Sequence, residues 1–437
     1  MVGCFNMQSS KRYRVLIIGK TWPEPGSTAA GRRVIDITRA FCEAGHHVTF
    51  ASAAQPNEHS FDLKELEVSG HPVKSNDSAF DSWVATLAPD IVLFDRFMIE
   101  EQFGWRVEKA CPNALRILDT SDLHCLREAR RQQIENSGAL NLYNEVALRE
   151  IAAIHRSDLT FVIADYELQL LREKFNVPEQ QIAYLPFWMK LDNADCAAFE
   201  SRWNFIMIGS FMHAPNVDAL RWCKRAIWPL IRKRLPQAEL HCYGAYGDKY
   251  KAELHAPKDG FIYKGRAESA LLTMKGYRVN CAPLRYGAGL KGKVFDGFQS
   301  GTPTVTTLIG AEGILGDDGW GCTVSNDPKE FAKTAGALYE DRELWQKVQA
   351  QGQSIVRQRF NSESWLRTLS ELIENRLARV NENRACHFVG RMLRHHQHKS
   401  TEYMSRWIEA KNRNKDGACQ SDGGHQFPIN SKINFMG

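Results

Sequence analysis

The chain alternates short, wholly apolar runs with longer stretches whose apolar residues recur every three or four positions. Runs of that kind read as strands buried on both faces of a parallel sheet, and the stretches between them as covering helices. Tyr13-Arg14-Val15-Leu16-Ile17-Ile18-Gly19 is the first run. A turn carrying Pro23 and Pro25 follows, and then a helix from Ala29 through Val34, Ile35, Ile37 and Phe41 to a stop at Gly45. Val48–Ala51, Asp90–Asp95, Leu115–Asp119, Leu159–Ile163 and Ile182–Trp188 continue the series. A second series opens at Asn204–Gly209 and runs through Glu239–Gly244, Phe261–Gly265, Arg278–Ala282, Thr304–Thr306 and Gly321–Val324. Its first helix is strongly apolar (Ala219, Leu220, Trp222, Cys223, Ile227, Leu230, Ile231), Asp327-Pro328 caps another, and Leu344–Phe360 and Ser364–Val380 close the series.

This order predicts an α/β protein of two tandem Rossmann-like, doubly wound domains with a cleft between them. The length agrees, because 437 residues exceed one comfortable core. The pattern divides the chain into an N-terminal arm (1–12), a first domain (13–190), a linker (191–203), a second domain (204–380) and a tail (381–437). The tail is basic and histidine-rich, then polar and glycine-rich from Gly417, and is expected to be mobile. Its Cys386 and histidines fit no structural zinc spacing. The segment Tyr403, Arg406, Trp407 and Ile408 reads either as solvated or as a contact for a membrane or partner.

Composition narrows the class. Hydrophobic content of 43% and charged content of 24% are those of a soluble globular protein. A net charge of +5 suits anionic substrates or a membrane surface, and is too small to point to nucleic acid. Eleven cysteines without a CxxC pair read as small core residues of a reducing compartment. No apolar run matches a signal peptide or membrane span, so the expected location is cytoplasmic, with at most peripheral membrane contact.

Two stretches carry candidate chemistry. Ala282-Pro283-Leu284-Arg285-Tyr286-Gly287-Ala288-Gly289-Leu290-Lys291-Gly292-Lys293 joins a buried strand to a helix start. Its glycines admit a ligand close to the backbone, and its lysines add charge where helix N–H groups point, which suits a phosphate or diphosphate. A tight turn with solvated lysines is the alternative, most of all for Lys293. In the first half, Asp95, Arg96 and Asp119-Thr120-Ser121-Asp122-Leu123-His124 fall at strand ends, with His124 a hydrogen-bonding or basic group or else a structural helix start. The first turn lacks GxGxxG, which disfavours a dinucleotide, although Gly26 and Ser27 could face a charged group.

Several segments together resemble the retaining GT-B glycosyltransferases of family 4, which include sucrose and glycogen synthase-like enzymes. They are Phe205-Ile206-Met207-Ile208-Gly209-Ser210-Phe211 with His213, Pro215-Asn216 and Asp218-Ala219; Pro283-Leu284-Arg285 with Gly287-Ala288-Gly289, Lys291 and Lys293; Ser300-Gly301 with Pro303, Val305 and Thr307; and Gly310-Ala311-Glu312-Gly313. In the first half, Asp122-Leu123-His124 with Leu126-Arg127 is similar to the segment that carries the family's cleft histidine.

The resemblance implies hexosyl transfer from a nucleotide-diphosphate sugar to a hydroxyl of a glycan, lipid or other glycoside, with retention. The donor would sit mainly on the second domain and the acceptor on the first. Lys291 would neutralise the diphosphate, assisted by Arg285 and the helix start. Ser210, Gly287 and Gly289 would line the donor pocket with Gly26 opposite. Asp296 stands where the family usually has the glutamate that holds the ribose, and His124 would contact sugar or acceptor. The chain departs from the pattern at Ala288, in place of the first of two paired glutamates, and near Ser210–Pro215, where only His213 stands for a basic residue. No DxD tripeptide occurs, so neither a metal nor another cofactor is expected. A non-catalytic sugar-nucleotide binding protein and a GT-B epimerase or phosphorylase are the other readings.

Overall fold

A computed structural model describes residues 11–189, 197–314 and 322–421. The arm before residue 11, the expected linker up to residue 196 and the glycine-rich end after 421 lie outside the described residues. Seven parallel strands form the first sheet: β1 (Arg14–Gly19), β2 (His47–Ser52), β3 (Ser69–Pro72), β4 (Ile91–Asp95), β5 (Leu115–Asp119), β6 (Leu159–Val162) and β7 (Ile182–Tyr184), in the order β3-β2-β1-β4-β5-β6-β7. Six form the second: β8 (Trp203–Ile208), β9 (Leu240–Tyr243), β10 (Phe261–Gly265), β11 (Tyr277–Ala282), β12 (Thr304–Thr306) and β13 (Cys322–Val324), in the order β10-β9-β8-β11-β12-β13.

In both sheets the strand order reverses beside the first strand. β1 lies between β2 and β4, with Ile17 level with Phe50 and Leu93, and β8 lies between β9 and β11. Helices that follow these strands must leave toward opposite faces, which opens a crevice at the strands' carboxyl ends. Burial on both faces explains the apolar runs: Val15, Leu16, Ile17 and Ile18 are all enclosed.

The Ala29–Glu43 helix starts where Thr28 accepts the Gly31 N–H, and the Pro328–Glu340 helix where Asp327 accepts those of Lys329 and Glu330. The apolar helix of the second domain is broken into Ala214–Trp222, a π turn at Cys223–Ile227 and Trp228–Arg234. Pro229 lacks the N–H that a continuous helix would use there. Strand β3 was not expected, because Ser-Gly-His-Pro has no apolar alternation. It is an edge strand whose Gly70 lies against the Trp22 ring.

The two domains share a core. Ile163, Ala164, Phe187 and Met189 of the first pack with Ala282, Leu290, Val294, Phe295 and Phe298 of the second. The chain then returns to the first domain: in the Ser362–Cys386 helix, which the pattern assigned to the second domain, Leu369 and Ile373 sit under the first sheet.

The expectation of a mobile tail is corrected for the described part. Residues 388–421 are helical, with a π turn at Arg394–His398. Composition suggested mobility, but three of the basic residues, Arg384, Arg394 and His398, are paired with the first domain. Arg384 bonds Asp158, Arg394 approaches Glu108 at 3.2 Å, and His398 lies between Glu108 (2.6 Å) and Glu100 (3.4 Å), which Arg156 also grips. Burial alone would lower the His398 pKa, but its bonds to the two carboxylates outweigh that and raise it. The same partners hold Glu100 down to about 2.

A histidine with a raised folded-state pKa stabilises fully below its unfolded value, and that contribution fades as pH rises through the folded value. His398→Ala is expected to lower stability by about 1–3 kcal/mol near pH 6, with the gap from wild type narrowing as pH rises through the raised folded-state value. Thermal unfolding across that range checks this, and a gap that widens with pH contradicts it.

Candidate functional site

The first wall of the cleft is built at the ends of β1, β4 and β5. Inside it, the buried Arg33 guanidinium clasps Asp119 at 2.7–2.9 Å and reaches the Pro186 carbonyl. Asp95 accepts the Lys20 backbone N–H at 3.1 Å and two bonds from Arg96. Arg96 (φ 75°) and Ser121 (φ 58°) occupy the left-handed region, which non-glycine residues avoid unless their surroundings hold them there.

His124 opens the His124–Asn136 helix, with its N–H on Glu150 and its ring edge-on to Phe97. Its Nε2 is 3.5 Å from Asp122, which also pairs with Arg127. Burial, aided by Arg127, Arg96 and Lys20 against the pull of Asp122, brings His124 down to about 3, so the imidazole is neutral at physiological pH. Burial alone would raise Asp122, but Arg127 and His124 hold it well below the usual carboxylate range.

The second wall is the loop from Pro283 to Lys291 and the Gly292–Gln299 helix. Gly289 has φ 64°, and a Cβ there would sit 2.8 Å from that of Asp122. Its N–H donates to Glu167 at 2.7 Å, and the same carboxylate oxygen accepts the Leu123 N–H at 3.0 Å. The other oxygen of Glu167 is buried without a protein partner. Burial and then Asp122 raise the Glu167 pKa, while burial lowers that of Lys291. Lys291 is 7% exposed, donates to the Gly289 carbonyl at 2.5 Å and lies 3.8 Å from Glu312. Arg130 of the first domain donates to both Glu312 oxygens (2.6 and 2.7 Å) and to the Gly287 carbonyl (2.8 Å). Ala288, at the substituted position, is buried in the first domain's apolar cluster.

The remaining expected residues spread along this seam. Gly26 faces Arg266 of the second domain. Ser210 is buried, its carbonyl accepting from Asn216. Arg285 turns to Asp218 at 2.9 Å, and Asp296 pairs with Arg32 of the first domain. The start of the second helix meets the start of the first: a Cβ on Gly292 would lie 2.8 Å from that of Ala29. Tyr246 bonds Glu24 at 2.9 and 3.0 Å, closing the outer rim. One cavity of about 520 Å³ is at the opposite end of the first sheet, by Asp90 and Glu374, and one of about 380 Å³ lies between the domains, lined by Arg32, Asp36 and Trp188 of the first and by Phe295 and Gln299 of the second.

Pattern reading left Lys293 open as a solvated charge. In the structure its amine donates to Asn216 at 2.6 Å, next to Gly209, and burial lowers its pKa to about 8. His213 remains open to solvent in the cleft, and its pKa is lowered by the surrounding walls and then by Arg127, against Asp122. Lys20 is lowered too, by burial and then by Arg96. Lys20, Arg96, Arg127 and Lys293 therefore converge, against the carboxylates Asp95 and Asp122. Such a surplus, with lysines pushed toward neutrality, suits an anion. Strand-end placement could have flagged Lys20. Nothing in sequence distinguished Glu167 or Arg130, which sit in amphipathic helices like any exposed charge.

The fold with its cleft is that of the GT-B glycosyltransferases. Anabaena HepE, solved with UDP and glucose, is similar at a TM-score of 0.62 with 12% identity, over 83% of this chain and 100% of that one. Sucrose-phosphate synthase of Thermosynechococcus elongatus matches at 0.62 and 12%, over 84% and 100%. Staphylococcus aureus TarM, solved with fondaparinux, α-GlcNAc-glycerol and UDP, matches at 0.55 and 15%, over 67% and 57%.

Within that fold, residues 202–341 match the family model described as glycosyl transferases group 1. A Klebsiella pneumoniae protein described as an uncharacterized 44.6 kDa protein in the cps region is 28% identical over 139 residues. That match covers 30% of this chain and 35% of that protein, so the chain spans about a third of the curated relative it matches.

Arg130 is the group most engaged with the loop from the first domain. Arg130→Ala strips Glu312 and the Gly287 carbonyl of a buried partner, an expected loss of about 3–5 kcal/mol. Faster amide exchange across residues 285–293, read by mass spectrometry, is the expected result; unchanged exchange contradicts the role assigned to the seam.

Proposed function

We propose that the protein transfers a sugar from a nucleotide-diphosphate donor to an acceptor hydroxyl, with retention of anomeric configuration. The observation that carries this reading is the cationic surplus of Lys20, Arg96, Arg127 and Lys293 where the carboxyl ends of the two sheets face each other. A leaving diphosphate gains negative charge in the transition state, so fixed cations aimed at it lower the barrier. The group 1 match over the second domain supports the same reading, as do relatives of this fold solved with UDP.

In the proposed reaction the acceptor oxygen bonds to the anomeric carbon as the bond from that carbon to the diphosphate breaks. The acceptor proton passes to the departing diphosphate oxygen on the same face, so no protein nucleophile is required. Lys293 and the start of the Gly292–Gln299 helix hold the diphosphate. Lys291 joins them when it exchanges its bond to the Gly289 carbonyl for a phosphate oxygen. Neutral His124, oriented by Asp122, hydrogen-bonds the sugar or acceptor. Asp296, freed from Arg32, meets the ribose hydroxyls. These cations stand in for a metal, so turnover is expected to persist in EDTA. The acceptor is a hydroxyl of a glycan, lipid or other glycoside, bound mainly by the first domain.

Calorimetric titration with UDP-, GDP-, ADP- and CMP-sugars tests the reading. At least one donor is expected to bind, and Lys291→Ala and Lys293→Ala each to weaken it by about 10- to 100-fold, the worth of one charge-assisted hydrogen bond. Failure of every donor to bind contradicts the site, and unchanged affinity in either variant removes that lysine from it. Because Lys293 loses its proton as pH passes about 8, donor affinity is expected to fall above that pH and to be retained in Lys293→Arg. His124→Ala is expected to depress turnover with donor affinity kept; unaltered turnover excludes it from the site.

A further inference from the structure

The helical segment that closes the described chain has two unlike sides. One is fixed to the first domain. Gly390 abuts the His155 carbonyl, where a Cβ would be 2.3 Å away, and Arg394 donates to the Arg156 carbonyl at 3.2 Å. His398 lies between Glu100 and Glu108, and Ser405 accepts from Arg106 at 2.9 Å. These spacings of four, four and seven residues form one row along a helix, and the π turn at Arg394–His398 keeps that row on the protein.

Among the described residues, the other side is exposed. Phe388 is 71% exposed, Met392 43%, Tyr403 71%, Met404 58% and Trp407 58%. Phe388 and Met392, and Tyr403 and Trp407, are each one turn apart, so their side chains share a face. From Phe388 to Trp407 that face is roughly 30 Å long. Buried or scattered apolar residues need no explanation, but an exposed row of large ones does.

Charge narrows what could cover it. Arg391, Lys399, Arg406, Lys411 and Arg413 are all exposed around the row, and the Lys411 ammonium lies 5.0 Å from the Trp407 ring. Between Phe388 and Asn414 the only acids are Glu402 and Glu409. Glu402 is held by Lys109 and Arg406, and Glu409 by Ser78 and Arg413. The face therefore presents tryptophan, tyrosine, phenylalanine and methionine within a cationic border. Large apolar groups entering the acyl boundary, aromatic residues with polar edges and cations at headgroup level are what an interfacial helix uses.

We propose that the outer face of residues 388–414 docks the protein on a bilayer containing anionic lipid. The cations would meet lipid phosphates while Phe388, Met392, Tyr403, Met404 and Trp407 enter the interface. The inference is independent of the transfer reaction, because none of these residues lies in the interdomain cleft.

Co-sedimentation of the full chain with phosphatidylcholine vesicles, and with vesicles of phosphatidylcholine and phosphatidylglycerol, tests it. The protein is expected to pellet with the anionic vesicles, to remain largely in solution with the neutral ones, and to be released by high salt. Phe388→Ser/Tyr403→Ser/Trp407→Ser and Arg391→Glu/Lys399→Glu/Lys411→Glu are each expected to reduce binding by at least about tenfold. Circular dichroism and donor titration should match wild type in both, since every altered side chain is exposed. Wild-type protein that stays in solution with anionic vesicles overturns the proposal, as does a serine variant that pellets like wild type. A lipid-free dimer abolished by the serine substitutions assigns the face to a second copy and likewise overturns it.

Discussion

Positive charge that lacks enough negative partners is the constraint around which this molecule is arranged. Lys20, Arg96, Arg127 and Lys293 come from two domains and face one another across a narrow gap. Asp95 and Asp122 offset them only in part. Burying these cations costs free energy: burial lowers the pKa of Lys293, and burial followed by Arg96 lowers that of Lys20. An anion between the walls would relieve that cost.

The Pro283–Lys291 loop is meanwhile held by protein groups. Arg130 and Glu167 reach from the first domain to the backbone of Gly287 and Gly289, and Arg130 also engages Glu312, which lies beside Lys291. Lys291 and the glycine backbone of the loop are thus satisfied internally while the walls touch. Ligand entry requires exchange of these bonds, and the same contacts can re-form around a bound donor to exclude water. Apolar contacts between Leu290, Phe295 and Phe187 give the closed arrangement its hydrophobic support.

Much of the fold was legible because buried parallel strands demand unbroken apolar runs. Twelve expected runs coincide with strands, and β3 escaped because an edge strand of Ser, Gly, His and Pro carries no such demand. The site was legible only along the chain. Glycines at Gly287 and Gly289 and the basic helix start could be seen as a local unit, as could His124 beside Asp122. Pairings across domains could not. Arg130 with Glu312, Arg32 with Asp296 and Glu167 with Gly289 join positions 100 to 300 residues apart, on elements whose own patterns are those of any surface helix. The tail was misread for a related reason, because Arg394 and His398 have their partners some 290 residues upstream in Glu100 and Glu108.

The central claim is that these cations are short of an anion, and proton linkage measures this directly. Titrating UDP into the protein near pH 8, in buffers of different ionisation enthalpy, gives the protons taken up per ligand bound. Because the Lys293 pKa stands at about 8, a diphosphate that raises it must draw protons from solution. The account predicts net uptake in the wild type and its loss in Lys293→Met. Binding with no proton uptake by the wild type would contradict it.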